Sequence, residues 1–293
     1  MMLELWQDLC DPAAPFLRYA LLAGLIGSVA FGVVGTFVVT RRIVSLAGAI
    51  AHSVLGGVGA ALYLSNVCSW SWCTPTLGAL LAALISAVLI WYVSTFARQR
   101  EDAVIGAIWA LGMALGLLFM AKTPGYVDLQ GYLFGNILLL SGRELWLMSV
   151  LDIVVVTPAL LFYAQLLAVC FDGAFAELRG IKVKLINLLL LLMTALTIVL
   201  MVNVVGILLV IALLSLPAAT VGQYARHWFS MMCAAIGLNM LVTTGGLLVS
   251  YQWNLPSGPA IVLLAGAIYL AALLHGAWRK RRKSGKRISI YLA

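Results

Sequence analysis

The chain has 293 residues, of which 64% are hydrophobic and only 10% charged, and its mean hydropathy is +1.09. A soluble domain carries about 25% charged residues, so this composition excludes a water-soluble globular enzyme. Its apolar runs approach the ~20 residues needed to cross a bilayer, and the expected fold class is therefore an all-α polytopic membrane bundle.

The segment before the first apolar run, "MMLELWQDLCDPAAPF", has neither the basic stretch nor the small-residue cleavage site of a signal peptide. The first span is therefore expected to remain in the membrane. Spans are predicted over 17–40, 43–65, 75–96, 102–121, 145–170, 184–202, 204–222, 229–250 and 258–276. The apolar stretch 131–141, "GYLFGNILLLS", is too short to cross and reads as a re-entrant half-helix. The expected architecture is about nine spans plus that half-helix. Cys68 and Cys73 share the short loop "SNVCSWSWCTP". A disulfide in an oxidising space and two free thiols both fit them.

Charge placement sets the orientation. With the N-terminus outside, fifteen of the 18 basic residues fall on the cytoplasmic side, leaving Arg18, Lys122 and Arg143 outside. A full crossing by 131–141 would invert the later loops and move "ELRGIKVK" outward, which opposes the rule. The basic tail "WRKRRKSGKR" reads as a topology determinant lying near anionic lipid. No aromatic platform or soluble domain accompanies it, so nucleic acid is not an expected partner.

Several chemistries lack their residues. The sequence holds no GxxxxGK[ST] loop, so it does not bind ATP by that device, and no HExxH or GxSxG motif suggests a catalytic site. Three histidines are present: His52, His227 and His275. His52 is the informative one. It sits mid-span in "GAIAHSVLGGVGAAL", with Gly48 and Gly56 one helical turn to either side. Gly24, Ser28 and Gly32 repeat the spacing in the first span, a pattern that lets membrane helices approach closely. A histidine on such a stripe reads either as a hydrogen bond between helices or as a metal ligand, because neutral imidazole binds zinc, iron and manganese-type ions.

Asp128, Asn136, Asp152 and Asn203 are weaker metal candidates. An acid inside a span is a functional candidate by default, although Asp152 also reads as a shallow residue reaching the interface. Glu101 and Asp102 sit at a helix start, where acids favour the dipole. In "CFDGAFAELRGIKVKL", Asp172 can cap a short helix that carries Phe175, Ala176 and Leu178, with Gly180 ending it. Such a helix reads as a docking element for a soluble partner or as a loop helix resting on lipid.

Six segments in series carry a resemblance. They are "RRIVSLAGAIAHSVLGG", "EDAVIGAIWALGMALGLLF", "LQGYLFGNIL", "FDGAFAELRGI", "VVGILLVIALLSLPAAT" and "TGGLLVSYQWNLPSGPAIVL". In order and spacing the chain resembles the membrane permease of the ABC-3 family, bacterial metal-ion importers. The resemblance implies one permease domain over 1–293 in the bacterial inner membrane, with a cytoplasmic coupling loop at about 171–183 and a basic tail at 278–293. It implies a second copy of the chain, a separate cytoplasmic ATPase, and a periplasmic or lipid-anchored metal-binding protein. ATP hydrolysis then belongs to the partner, and no cofactor is held tightly; the divalent metal is cargo. "FDGAFAELRG" resembles the family's coupling helix, which assigns Asp172, Phe175, Glu177, Leu178, Arg179 and Gly180 to ATPase docking.

Family members carry an acid one turn before the pore histidine. Here that position is Gly48, so the histidine matches and the acid is missing. Two imidazoles related by a two-fold axis, completed by water, form a weak and open site of the kind transport needs. Loss of the acid favours a borderline-soft ion, zinc first, with manganese or iron next. Two other classes remain open: an ATP-independent secondary metal transporter or channel, and a membrane scaffold.

Overall fold

A computed structural model describes residues 16–70, 72–96, 101–125, 129–135 and 140–291. The described residues contain helices and no strands. In chain order the helices are α1 (Phe16–Thr40), α2 (Val44–Val67), α3 (Pro75–Phe96), α4 (Glu101–Lys122), α5 (Leu129–Phe134) and α6 (Gly142–Leu161). They continue as α7 (Tyr163–Phe171), α8 (Gly173–Leu178), α9 (Val183–Val205), α10 (Ile207–Gly222), α11 (Trp228–Trp253) and α12 (Ser257–Tyr291). Among the described residues seven helices are long and apolar enough to cross a membrane, and two shorter apolar stretches lie at Val183–Val199 and Ile207–Gly222.

Helices follow from the solvent this chain is written for. In hydrocarbon every backbone N–H and C=O needs an internal partner, and a helix supplies one within the segment. The hydroxyls inside the spans obey the same demand. Ser28 donates to the Gly24 carbonyl, and Thr36, Thr194 and Thr197 donate to the carbonyls of Gly32, Leu190 and Met193.

α1 and α2 form the buried centre. α1 packs against α11, α10 and α6, and α2 packs against α4 and α3, with α9 touching both α1 and α2. The small residues of α1 work as expected: Gly24 lies against Thr243 and Gly32 against Ile236, both on α11. α5 packs on α9, α10 and α12, above the α9–α10 junction, where Gly206 takes φ +81°.

Boundaries depart from the sequence expectation in three places. The span expected at 145–170 is two helices broken at Phe162. Pro158, one turn earlier, has no N–H to give the carbonyl of residue 154, and Phe162 leaves helical geometry at φ −99°, ψ 19°. Its start is earlier, at Gly142, because Ser141 and Glu144 form a reciprocal capping box. The last helix does not stop at residue 276: its backbone stays helical through the basic run to Tyr291.

Polar contacts bring several helix ends together at one end of the bundle. The Arg41 guanidinium donates to the Val169 carbonyl at 2.6 Å and to Asn187 Oδ1 at 3.4 Å. Trp91 Nε1 donates to the Lys184 carbonyl at 2.8 Å. A cleft of about 460 Å³ at this end is lined by Thr40, Phe171, Gly222, Arg226 and Trp228. The C-terminal ends of α1, α3, α7 and α10 and the starts of α9 and α11 therefore share one face.

Candidate metal site and docking element

His52 lies in the first half of α2, 6% exposed, among Ala49, Ile50, Ala51, Val54 and Leu55, which are all buried. Its imidazole stacks on the Trp109 indole of α4, with ring centroids 4.3 Å apart and planes 18° from parallel. Nδ1 is buried and has no hydrogen-bond partner. The structure thus supplies no hydrogen bond to this nitrogen from a neighbouring helix.

The glycines around His52 face α4. A Cβ on Gly48 would meet Trp109 Cζ3 at 3.0 Å, and one on Gly56 would meet the Gly112 carbonyl oxygen at 2.9 Å. Gly59 faces Gly116 in the same way, at 2.5 Å. Close backbone approach needs glycine on both helices. Within one chain, then, the Gly48 position read as lining a pore is covered by the Trp109 ring.

Asp152 is 8% exposed on α6, with its carboxylate buried against α1. Oδ1 accepts the Ala30 N–H at 3.1 Å. Asp128 and Asn136 lie outside the described residues, as does the side chain of Asn203. Among the described residues no three His, Cys, Asp or Glu side chains converge as a metal-holding group. His227 stands at the start of α11 without capping it, and His275 Nδ1 lies 3.0 Å from the Tyr224 hydroxyl. Cys68 and Cys73 are both free.

The loop helix forms as its sequence dictates. Asp172 is extended (φ −149°, ψ 100°), and its carboxylate accepts the Phe175 N–H at 3.0 Å, capping α8. Gly180, at φ +80°, ends the turn in a conformation open to glycine. Ala176 is fully buried and anchors the helix, whereas Phe175 is 52% and Leu178 87% exposed. The Arg179 guanidinium lies 5.1 Å over the Phe175 ring. Exposed Phe171 extends the apolar patch to the cleft beside Arg226.

Two residues escaped the sequence reading. Trp109 became visible only once α4 was placed, although Gly112 and Gly116 repeat the four-residue spacing of Gly48, His52 and Gly56. Asn239 is fully buried on α11 with neither amide atom hydrogen-bonded. No sequence pattern separates it from an ordinary polar residue in a span.

Among the described residues, seven long apolar helices, two of them forming the buried centre, with a short capped helix at one end, define a multi-pass membrane protein. The chain belongs to the ABC 3 transport family, whose profile matches residues 13–276. It is 40% identical over 88% of its length, and 90% of the relative's, to an uncharacterized membrane protein of Synechocystis. It is 32% identical to the manganese transport system membrane protein MntC of Halalkalibacterium halodurans, over 88% of this chain and 86% of that one. Among solved structures, a chain of PsaBC from Streptococcus pneumoniae in complex with Fab superposes with a TM-score of 0.81 at 28% identity, covering 93% of this chain and 95% of that one.

Proposed function

We propose that this chain is the permease subunit of an ATP-binding-cassette importer that moves a divalent metal ion across the bacterial inner membrane, with His52 as a contact for the ion. The observation that carries the site is the buried Nδ1 of His52, which has no protein partner. A buried polar atom left unpaired costs about 1–3 kcal/mol, a penalty that an arriving ion or its water relieves. One imidazole from each of two chains, completed by water, gives a site open enough to release its cargo.

The topology is nine spans, formed by the seven long helices together with α9 and α10, over a single permease unit comprising 1–293. The stretch 131–141, in which 136–139 lie outside the described residues, does not count as a span. This is supported by the shared end of α1 and α7, because a full crossing between them would send α7 the other way. The packing of α5 over the α9–α10 junction agrees with it. The N-terminus lies outside and the basic tail, 278–293, in the cytoplasm near anionic lipid. The coupling loop, 171–183, presents Phe175 and Leu178 to a separate ATPase, with Asp172, Glu177, Arg179 and Gly180 shaping the helix. A metal-binding protein outside delivers the ion. The relative named for manganese supports that ion; the glycine in place of an acid supports a softer one such as zinc.

The test is uptake of zinc, manganese and iron(II) by vesicles holding the permease with its ATPase. Wild type imports at least one of them in an ATP-dependent manner. His52→Gln keeps hydrogen-bonding capacity but lacks the imidazole, and it loses most uptake while still binding the ATPase. Undiminished uptake by His52→Gln would reduce His52 to a helix-packing residue.

A further inference from the structure

A histidine that binds metal usually donates its second ring N–H to a carboxylate or carbonyl, which fixes both the tautomer and the ring plane. No hydrogen bond to His52 Nδ1, the nitrogen left for the ion, fixes the ring here. The group that does define its ring is an aromatic face: the Trp109 indole lies 4.3 Å away and within 18° of parallel. Resting on the reading that His52 contacts the transported ion, we propose that Trp109 is its positioning residue: the stacked indole holds the imidazole in the plane along which a ring nitrogen meets the metal.

Three features separate this role from space filling. First, the backbone under Trp109 is pinned. One turn further along α4, a Cβ on Gly112 would meet Ser53 Cα at 2.5 Å, and two turns along, one on Gly116 would meet the Leu55 carbonyl carbon at 2.7 Å. The indole therefore starts from a fixed point. Second, Trp109 is 37% exposed, so the core does not need its whole volume. Third, Gly48 has no side chain to compete for the space: its Cβ would sit 3.0 Å from Trp109 Cζ3. A side chain at position 48 therefore presses on the indole in this pose. Ring nitrogens coordinate in the ring plane, so an indole on the face orients the imidazole without blocking either lone pair.

The test measures KM and maximal rate for zinc and for manganese(II) in vesicles holding the permease and its ATPase, with His52→Gln alongside. Trp109→Phe keeps a stacking ring and is expected to keep the wild-type KM. Trp109→Leu keeps apolar bulk without a ring and is expected to raise KM about ten-fold, the loss typical when the group orienting a metal ligand is removed. Maximal rate and thermal melting should move little. Gly48→Ala disturbs the stack from the other side and should raise KM in the same direction, which preserves the test if Trp109→Leu fails to fold. A wild-type KM in Trp109→Leu or Gly48→Ala, or equal losses in the Phe and Leu variants, would overturn the positioning role alone, provided His52→Gln has lost uptake. Normal uptake by His52→Gln would overturn the metal reading first.

Discussion

His52 and Asp152 are both buried ionisable side chains, and their partners differ. Asp152 accepts a backbone N–H from Ala30, whereas His52 Nδ1 has no partner. The Asp152 contact asks only for an acceptor. Asp152→Asn retains an oxygen there and is expected to melt and transport like wild type, whereas Asp152→Leu should lose on the order of 1 kcal/mol of stability. Thermal unfolding in detergent and vesicle uptake check both; a transport-dead Asn variant with unchanged melting would make Asp152 part of the ion path. Gly48→Asp places an acid one turn before His52 but drives its Cβ against Trp109. Overpacking of this kind costs about 1–3 kcal/mol. The variant should melt lower than wild type, and adding Trp109→Ala should recover much of the loss.

At the scale of an element, α8 is six residues long and too short to hold itself. It stands because Asp172 caps its start, Gly180 turns its end and Ala176 is buried beneath it. Asp172→Ala should cost about 1 kcal/mol of local stability, read as faster amide hydrogen exchange confined to 173–181. Phe175 and Leu178 are no part of that support, since both side chains are exposed. Replacing both by Asp should leave the fold intact and weaken co-purification with the ATPase by about 2 kcal/mol or more, the loss expected of a buried interface anchor. Unchanged association would move the contact to the neighbouring cleft at Arg226 and Trp228. The α2–α4 pair rests on glycines facing glycines, so Gly112→Val should separate the two helices and displace Trp109 with them.

For the whole molecule, the shared end of α1, α3, α7 and α10 constrains topology more firmly than any single loop. If that end is cytoplasmic, the Cys68 loop faces outside. A membrane-impermeant maleimide added to intact cells should then label exposed Cys68, while a Leu178→Cys probe should react only after the membrane is opened. The reverse pattern would invert the orientation while leaving the packing untouched.

Composition alone dictated a helical membrane protein, because a chain this apolar has few other ways to satisfy its backbone in lipid. The α8 cap was legible too: Asp172 and Gly180 act on near neighbours, and local geometry needs no distant partner. The six ordered segments carried the family. Helix existence was written in hydropathy, but the break at Phe162 depended on how a proline turn is accommodated by packing. What occupies the face of Gly48 was not legible, because the residue that covers it lies sixty-one positions away on another helix. A glycine stripe states that something comes close without naming it. Only the tertiary structure decided that a Trp109 ring fills that space and stacks on His52, since such a contact depends on the register between two helices, which neither sequence contains by itself.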